Sequence, residues 1–138
     1  TPVDEHGRSV GEGRTAAEWY RLIRDLPLTP IRSPLVRLAE GEALYLVSRP
    51  HFLFRERRFP HLRLIAFGRA LLTDRRLLFK GKAGIRLDAP LAEIESLSVE
   101  PGDKLHFVYR GRLFRIPFRR ESPLKWMDAL TRLRAAAG

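Results

Sequence analysis

None of the 138 residues is a cysteine. Thiol nucleophiles, thiolate metal sites and disulfide staples are thereby excluded, and with them the small secreted scaffolds built on such bridges. Long apolar stretches are missing as well: purely apolar runs end after three or four residues, the densest being Ala43 to Val47 with Tyr45 inside it. A membrane-spanning helix needs roughly 20. Acidic groups are in the minority, 16 Asp and Glu against 26 Lys and Arg, for a formal charge of +10. Enough remains for a core, since 44% of the residues are hydrophobic and 30% charged. Global disorder is set aside, and the length suits one domain rather than a two-domain enzyme. The chain reads as soluble, and its start at Thr1 points to processing or to a piece of a longer polypeptide.

Catalytic signatures are equally scarce. His6, His51, His61 and His106 are scattered without metal-ligand spacing. Glu93 and Glu95 would share a face of a strand but have no His or Lys partner, so they read as solvent-facing. Gly11 and Gly13 have neither a preceding strand nor a third glycine at a helix start, and no nucleophile elbow or Walker-type loop occurs. Ser96 and Ser98 read as ordinary strand residues. The expectation is a non-catalytic binding module with no cofactor and no metal.

The positive charge is concentrated. Residues 43 to 86 carry eleven basic and two acidic groups, whereas residues 1 to 42 sum to −1, 87 to 121 to zero and 122 to 138 to +2. Twenty-two of the basic residues are Arg, a bias that GC-rich coding or a thermophilic source also produces. A stretch of this kind projects a positive field toward an anionic partner, phosphate above all. Its competing reading is the solvated face of half-buried strands.

Residues 1 to 14 contain three glycines and no apolar period, so they read as a flexible tail. Thr15 and Glu18 have capping-box spacing, and Trp19, Leu22, Ile23 and Leu26 then form one stripe of a short amphipathic helix. Docking of that helix on the main body is preferred to a membrane interface, given Glu18 and Asp25 among its charges. Pro27, Pro30 and Pro34 make the rest of residues 15 to 39 an extended connector. From Ala43 the period becomes two. Strands are expected near 43–49, 63–72, 75–80, 84–88, 92–99, 104–110 and 112–118. Pro101-Gly102-Asp103 and Arg110-Gly111-Arg112 supply the last two turns. Leu105, Phe107, Tyr109, Phe114, Ile116 and Phe118 are the expected core of the final hairpin. Ser122-Pro123 opens a closing helix with Trp126, Met127, Leu130, Leu133 and Ala137 at helical spacing. Thr73-Asp74 reads as a tight turn with Asp74 bonding amides two residues on, and Gly68 as a bulge or bend.

The resulting class is α+β, mainly β: a small barrel or sandwich of about seven antiparallel strands closed by a C-terminal helix, with the extra N-terminal helix ahead of it. The run from Leu64 to Gly81, with Gly68, Thr73-Asp74, Arg75-Arg76 and Phe79, resembles the signature of GRAM and bacterial PH-like domains. Glu40-Gly41-Glu42 before an apolar strand, Ala89-Pro90-Leu91-Ala92-Glu93-Ile94, and Lys125-Trp126 with Leu130 are similar to other parts of that family, over roughly residues 40 to 136. The domain proper is thus 40 to 138.

That resemblance implies a PH-like barrel and peripheral association with anionic phospholipid head groups through the segment between the first two strands. Arg49, Arg55, Arg57, Arg58 and Arg63 there interleave with Phe52, Phe54 and Phe59, as in a loop that inserts apolar tips while Arg groups pair phosphates. The competing reading puts those phenylalanines in the core. No Lys-spaced-Arg strand motif is present, which argues against stereospecific inositide recognition. The implied setting is cytoplasmic, at the inner face of a membrane. Alternatives are a regulatory or protein-interaction domain of a larger polypeptide, and, ranked last, non-specific nucleic-acid binding without a recognition helix. An open edge strand would also allow a homo-oligomer.

Overall fold

The computed structural model describes residues 28–58 and 61–137. The expected tail, the Trp19-bearing helix and Phe59 lie outside the described residues. Eight strands follow one another: β1 (Leu44–Val47), β2 (His51–Arg58), β3 (His61–Thr73), β4 (Arg76–Gly81), β5 (Gly84–Pro90), β6 (Ile94–Glu100), β7 (Lys104–Tyr109) and β8 (Arg112–Pro117). A single turn of 3-10 helix, Leu91–Glu93, joins β5 to β6, and one helix, α1 (Pro123–Ala137), closes the described chain. Every pairing is antiparallel. The sheet runs β5-β4-β3-β2-β8-β7-β6, with β1 laid against β3 off that path, and curls into a half-barrel.

The strand that the sequence pattern does not reveal is β2. β1 and β2 occupy successive stretches of the same edge of β3, Val47 opposite Leu71 and His51 opposite Gly68. They form one long strand interrupted at Ser48-Arg49-Pro50, where Pro50 has no amide hydrogen to donate. Ser48 bridges the interruption: its amide donates to the Ala70 carbonyl at 2.8 Å, and its hydroxyl accepts from the Ala70 amide at 2.8 Å. The segment expected to be a loop is therefore ladder-bonded, to β3 on one side and β8 on the other.

Period-two alternation puts Leu53, Leu72, Leu77, Phe79, Leu105, Phe107 and Ile116 on the concave face, all fully buried. All six residues expected in the core of the last hairpin are buried. Leu105 faces Ile116 and Phe107 faces Phe114, the latter rings stacking at 5.4 Å. The hairpin closes through Arg110 and Gly111, both at positive φ (51° and 74°), the two-residue turn whose twist suits antiparallel strands. Pro123 stands at the first position of α1, and Trp126, Leu130 and Leu133 form its buried stripe against the 3-10 turn, β6 and β7. Trp126 stacks on Phe118 at 5.6 Å. Burying each such side chain is worth about 1.5–3 kcal/mol.

Two turn assignments change. Register runs unbroken through Gly68, and what excludes a side chain there is the β4 backbone, since a Cβ would fall 1.9 Å from the Lys80 carbonyl oxygen. The bulge lies nearby, between Leu53 and Phe54 in the β2–β3 register. In the β3–β4 turn the local acceptor is Thr73 rather than Asp74: its hydroxyl accepts from the amides of Arg75 and Arg76, both at 3.0 Å. The Asp74 carboxylate instead accepts from the Ala43 amide at 3.0 Å. Glu93, finally, sits in the 3-10 turn and not on a strand, although it and Glu95 are both exposed as expected.

Candidate functional site

Directly opposed residues of an antiparallel pair share a face. Phe52 faces Phe67, and Phe54 faces Leu64 on one side and Arg115 on the other. This is the outer face, away from Leu53. Arg55 faces Arg63 across β3 and Phe114 across β8, so both arginines lie on the concave side, Arg55 half-buried opposite the core residue Phe114 and Arg63 exposed. The cation–aromatic alternation is thus strand alternation, one residue type per face. Phe52 and Phe54 do not join the core: Phe52 is 44% exposed and Phe54 half-buried, with ring centroids 6.3 Å apart.

Arg57 and Arg58 are exposed at the end of β2, and Arg58 faces His61 across the hairpin. Arg55, Arg57, Arg58 and Arg63 are therefore brought together. Arg49 is not: it precedes β2 and stands six positions before Arg55, up to about 20 Å along the chain. Among the described residues, no carboxylate lies in ion-pair range of these five guanidiniums. The Glu56 carboxylate, the acidic group of β2, accepts from the Leu113 amide at 3.5 Å.

Arg49 is tied down by its backbone. Its amide donates to Glu121 Oε2 at 2.7 Å, and His51 Nε2 contacts the same oxygen at 2.6 Å. Trp126 Nε1 donates to Glu121 Oε1 at 3.0 Å. One carboxylate thus joins the start of β2 to the start of α1. Burial pushes the Glu121 carboxyl up, but the bonds from His51, the Arg49 amide and Trp126 outweigh it and hold its pKa below the ordinary value. An ionised Glu121 requires the proton on His51 Nε2, and the imidazole packs edge-on against Phe118 at 4.8 Å. His106, which is half-buried, has its pKa lowered by burial and by Arg115, whose Nε donates to its Nε2 at 3.1 Å.

Leu64 and Phe67 belong to the outer surface too, 50% and 53% exposed, and Phe67 lies 4.9 Å from Phe52. Their signal in the sequence is Leu64-Ile65-Ala66-Phe67, apolar on both faces of a strand where one face should be polar. Among the described residues, no group of three metal-ligating side chains converges, and no helix is long and apolar enough to cross a membrane. No protein-family model and no curated protein matches the chain.

Proposed function

We propose that the chain is a non-catalytic binding module of PH-like build that associates peripherally with anionic phospholipid head groups through the β2–β3 hairpin. The sheet order, with a C-terminal helix closing the half-barrel, is consistent with that build. The observation that carries the reading is the Arg55–Arg63 register pair with Arg57 and Arg58 beside it. Like charges directly opposed on adjacent strands are destabilising, and a phosphate shared between them would remove the repulsion and gain charge-assisted hydrogen bonds.

Co-sedimentation with neutral and anionic vesicles across a salt series tests it. Each basic residue near an anionic surface is worth about 1 kcal/mol, so changing Arg55, Arg57 and Arg58 together to Glu should weaken anionic-vesicle binding at least about a hundredfold. Binding that ignores lipid charge and salt, or that survives the triple change, would overturn the reading. A second reading, a protein-interaction or regulatory domain of a larger polypeptide, is favoured by the exposed Phe52, Leu64 and Phe67, and would appear as salt-insensitive capture of a protein partner with no vesicle binding.

A further inference from the structure

The outer face of the sheet has two halves. On one, Leu44, Leu71 and Leu78 are fully buried under Leu35, Val36 and Leu38, which the chain lays over them before β1 begins. Moving along β3 by steps of two, the same face continues from Leu71 through Arg69 to Phe67, with β3 and β4 in unbroken register. The cover stops at Arg69, whose guanidinium donates to the Ser48 carbonyl at 3.1 Å. Beyond it Phe52, Phe54, Leu64 and Phe67 form an apolar patch across two strands with nothing packed on it among the described residues. Contiguous exposed apolar surface of this kind marks a contact site.

We infer that this patch is laid flat against the bilayer, so that the domain docks by the side of its sheet and not by the tip of the β2–β3 hairpin. The inference rests on the anionic-lipid reading and fixes the orientation in which it operates. Charge complementarity selects the occupant. Arg69 and Arg115 flank the patch on the same face, and Arg57 and Arg58 stand at its end, with Glu56 the acidic residue of β2. An apolar centre rimmed by cations suits acyl chains beneath a layer of phosphates, the aromatic rings taking the interfacial depth that such side chains favour. Arg55 and Arg63, on the opposite side, would then reach the head groups only where the hairpin end meets the surface.

Because the chain contains no cysteine, one can be introduced anywhere as the sole labelling site. Leu64→Cys and Phe67→Cys, each carrying an environment-sensitive dye, should show a blue shift and protection from aqueous quencher on addition of phosphatidylserine-containing vesicles. Ala135→Cys, exposed at the end of α1, should show neither. Phe67→Asp, at a half-exposed position that leaves the core intact, should weaken vesicle binding about tenfold. Vesicle binding by sedimentation with unchanged dyes at positions 64 and 67 would overturn the orientation and leave the lipid reading standing. Absence of vesicle binding would overturn both. Dye changes that appear without lipid as protein concentration rises would assign the patch to a second copy of the chain and overturn the inference.

Discussion

β3 runs from the covered end of the sheet to the β2–β3 hairpin, and its two ends use arginine and lysine in opposite ways. Under the covering segment the cations are all engaged within the protein. Arg76 grips Glu42 with Nε and Nη2 at 2.8 and 3.0 Å and reaches Asp88 with Nη1 at 3.1 Å. Arg75 donates to the Glu40 carbonyl at 3.0 Å and Lys80 to the Leu35 carbonyl at 2.7 Å. At the β2–β3 hairpin end of the sheet, Arg55, Arg57, Arg58 and Arg63 face no carboxylate among the described residues. The charge excess of residues 43 to 86 therefore contains two distinct populations: one closes the fold by fastening the preceding segment, and the other is available to an external anion. Net charge counted along the chain merges them.

The largest effect that separates the populations is expected at Glu42. Its side chain is buried, bonded also to the Thr73 hydroxyl at 2.7 Å and to the Ala39 amide at 2.9 Å. Glu42→Ala leaves Arg76 with the exposed Asp88 as its remaining carboxylate and the Arg37 carbonyl at 3.3 Å, and should cost about 3 kcal/mol in chemical denaturation, whereas the triple Arg55, Arg57, Arg58 reversal should leave stability within about 1 kcal/mol. Equal losses in the two proteins would erase the distinction.

The acid limb of the stability profile comes next. Burial pushes the Glu42 carboxyl up, but the bonds from Arg76, Ala39 and Thr73 outweigh it and hold the pKa at about 2. A depressed folded-state pKa adds stability that is present above the unfolded value near 4.5 and is lost as pH falls toward about 2. That loss should amount to about 3 kcal/mol in the native chain and largely disappear in Glu42→Ala, as read by denaturant midpoints between pH 6 and pH 2. Glu121 contributes with the same sign.

A smaller effect is expected at the cover itself. Leu38→Ala thins the layer over Leu71 and Leu78 and should destabilise by about 1 kcal/mol. The smallest belongs to the bare half, where Phe67→Asp should change stability by less than about 0.5 kcal/mol in the absence of lipid. A large loss there would mean that Phe67 is already covered.

The parts of the fold carried by clean periodicity are legible in the sequence. The last hairpin announced itself through Leu105, Phe107 and Tyr109 against Phe114, Ile116 and Phe118, and α1 through Pro123 and the Trp126 stripe. β2 was not legible because its pattern is inverted at the decisive place: Phe52 and Phe54 point outward, Arg55 points to the concave side, and Pro50 breaks the run. The cations of the candidate site could be named from composition, but their division between two faces depends on the register and on the bulge after Leu53. Leu64 and Phe67 lay inside the run that prompted the family resemblance and passed as ordinary strand residues. The His51–Glu121 bond joins residues 70 positions apart, a separation that no local pattern encodes.

The position of β2 between β3 and β8 also dictates an order of events on the ribosome. Strands β2 to β5 pair with their sequence neighbours and can zip up as they emerge. The other edge of β2 stays without a partner until residues 112–117 have been made, and the Arg49 amide until Glu121 follows. Through most of its synthesis the nascent domain carries an open strand edge beside the outer phenylalanines, the combination most prone to pairing with another chain. β8 and the helix that follows it, residues 112–137, close both that edge and the half-barrel.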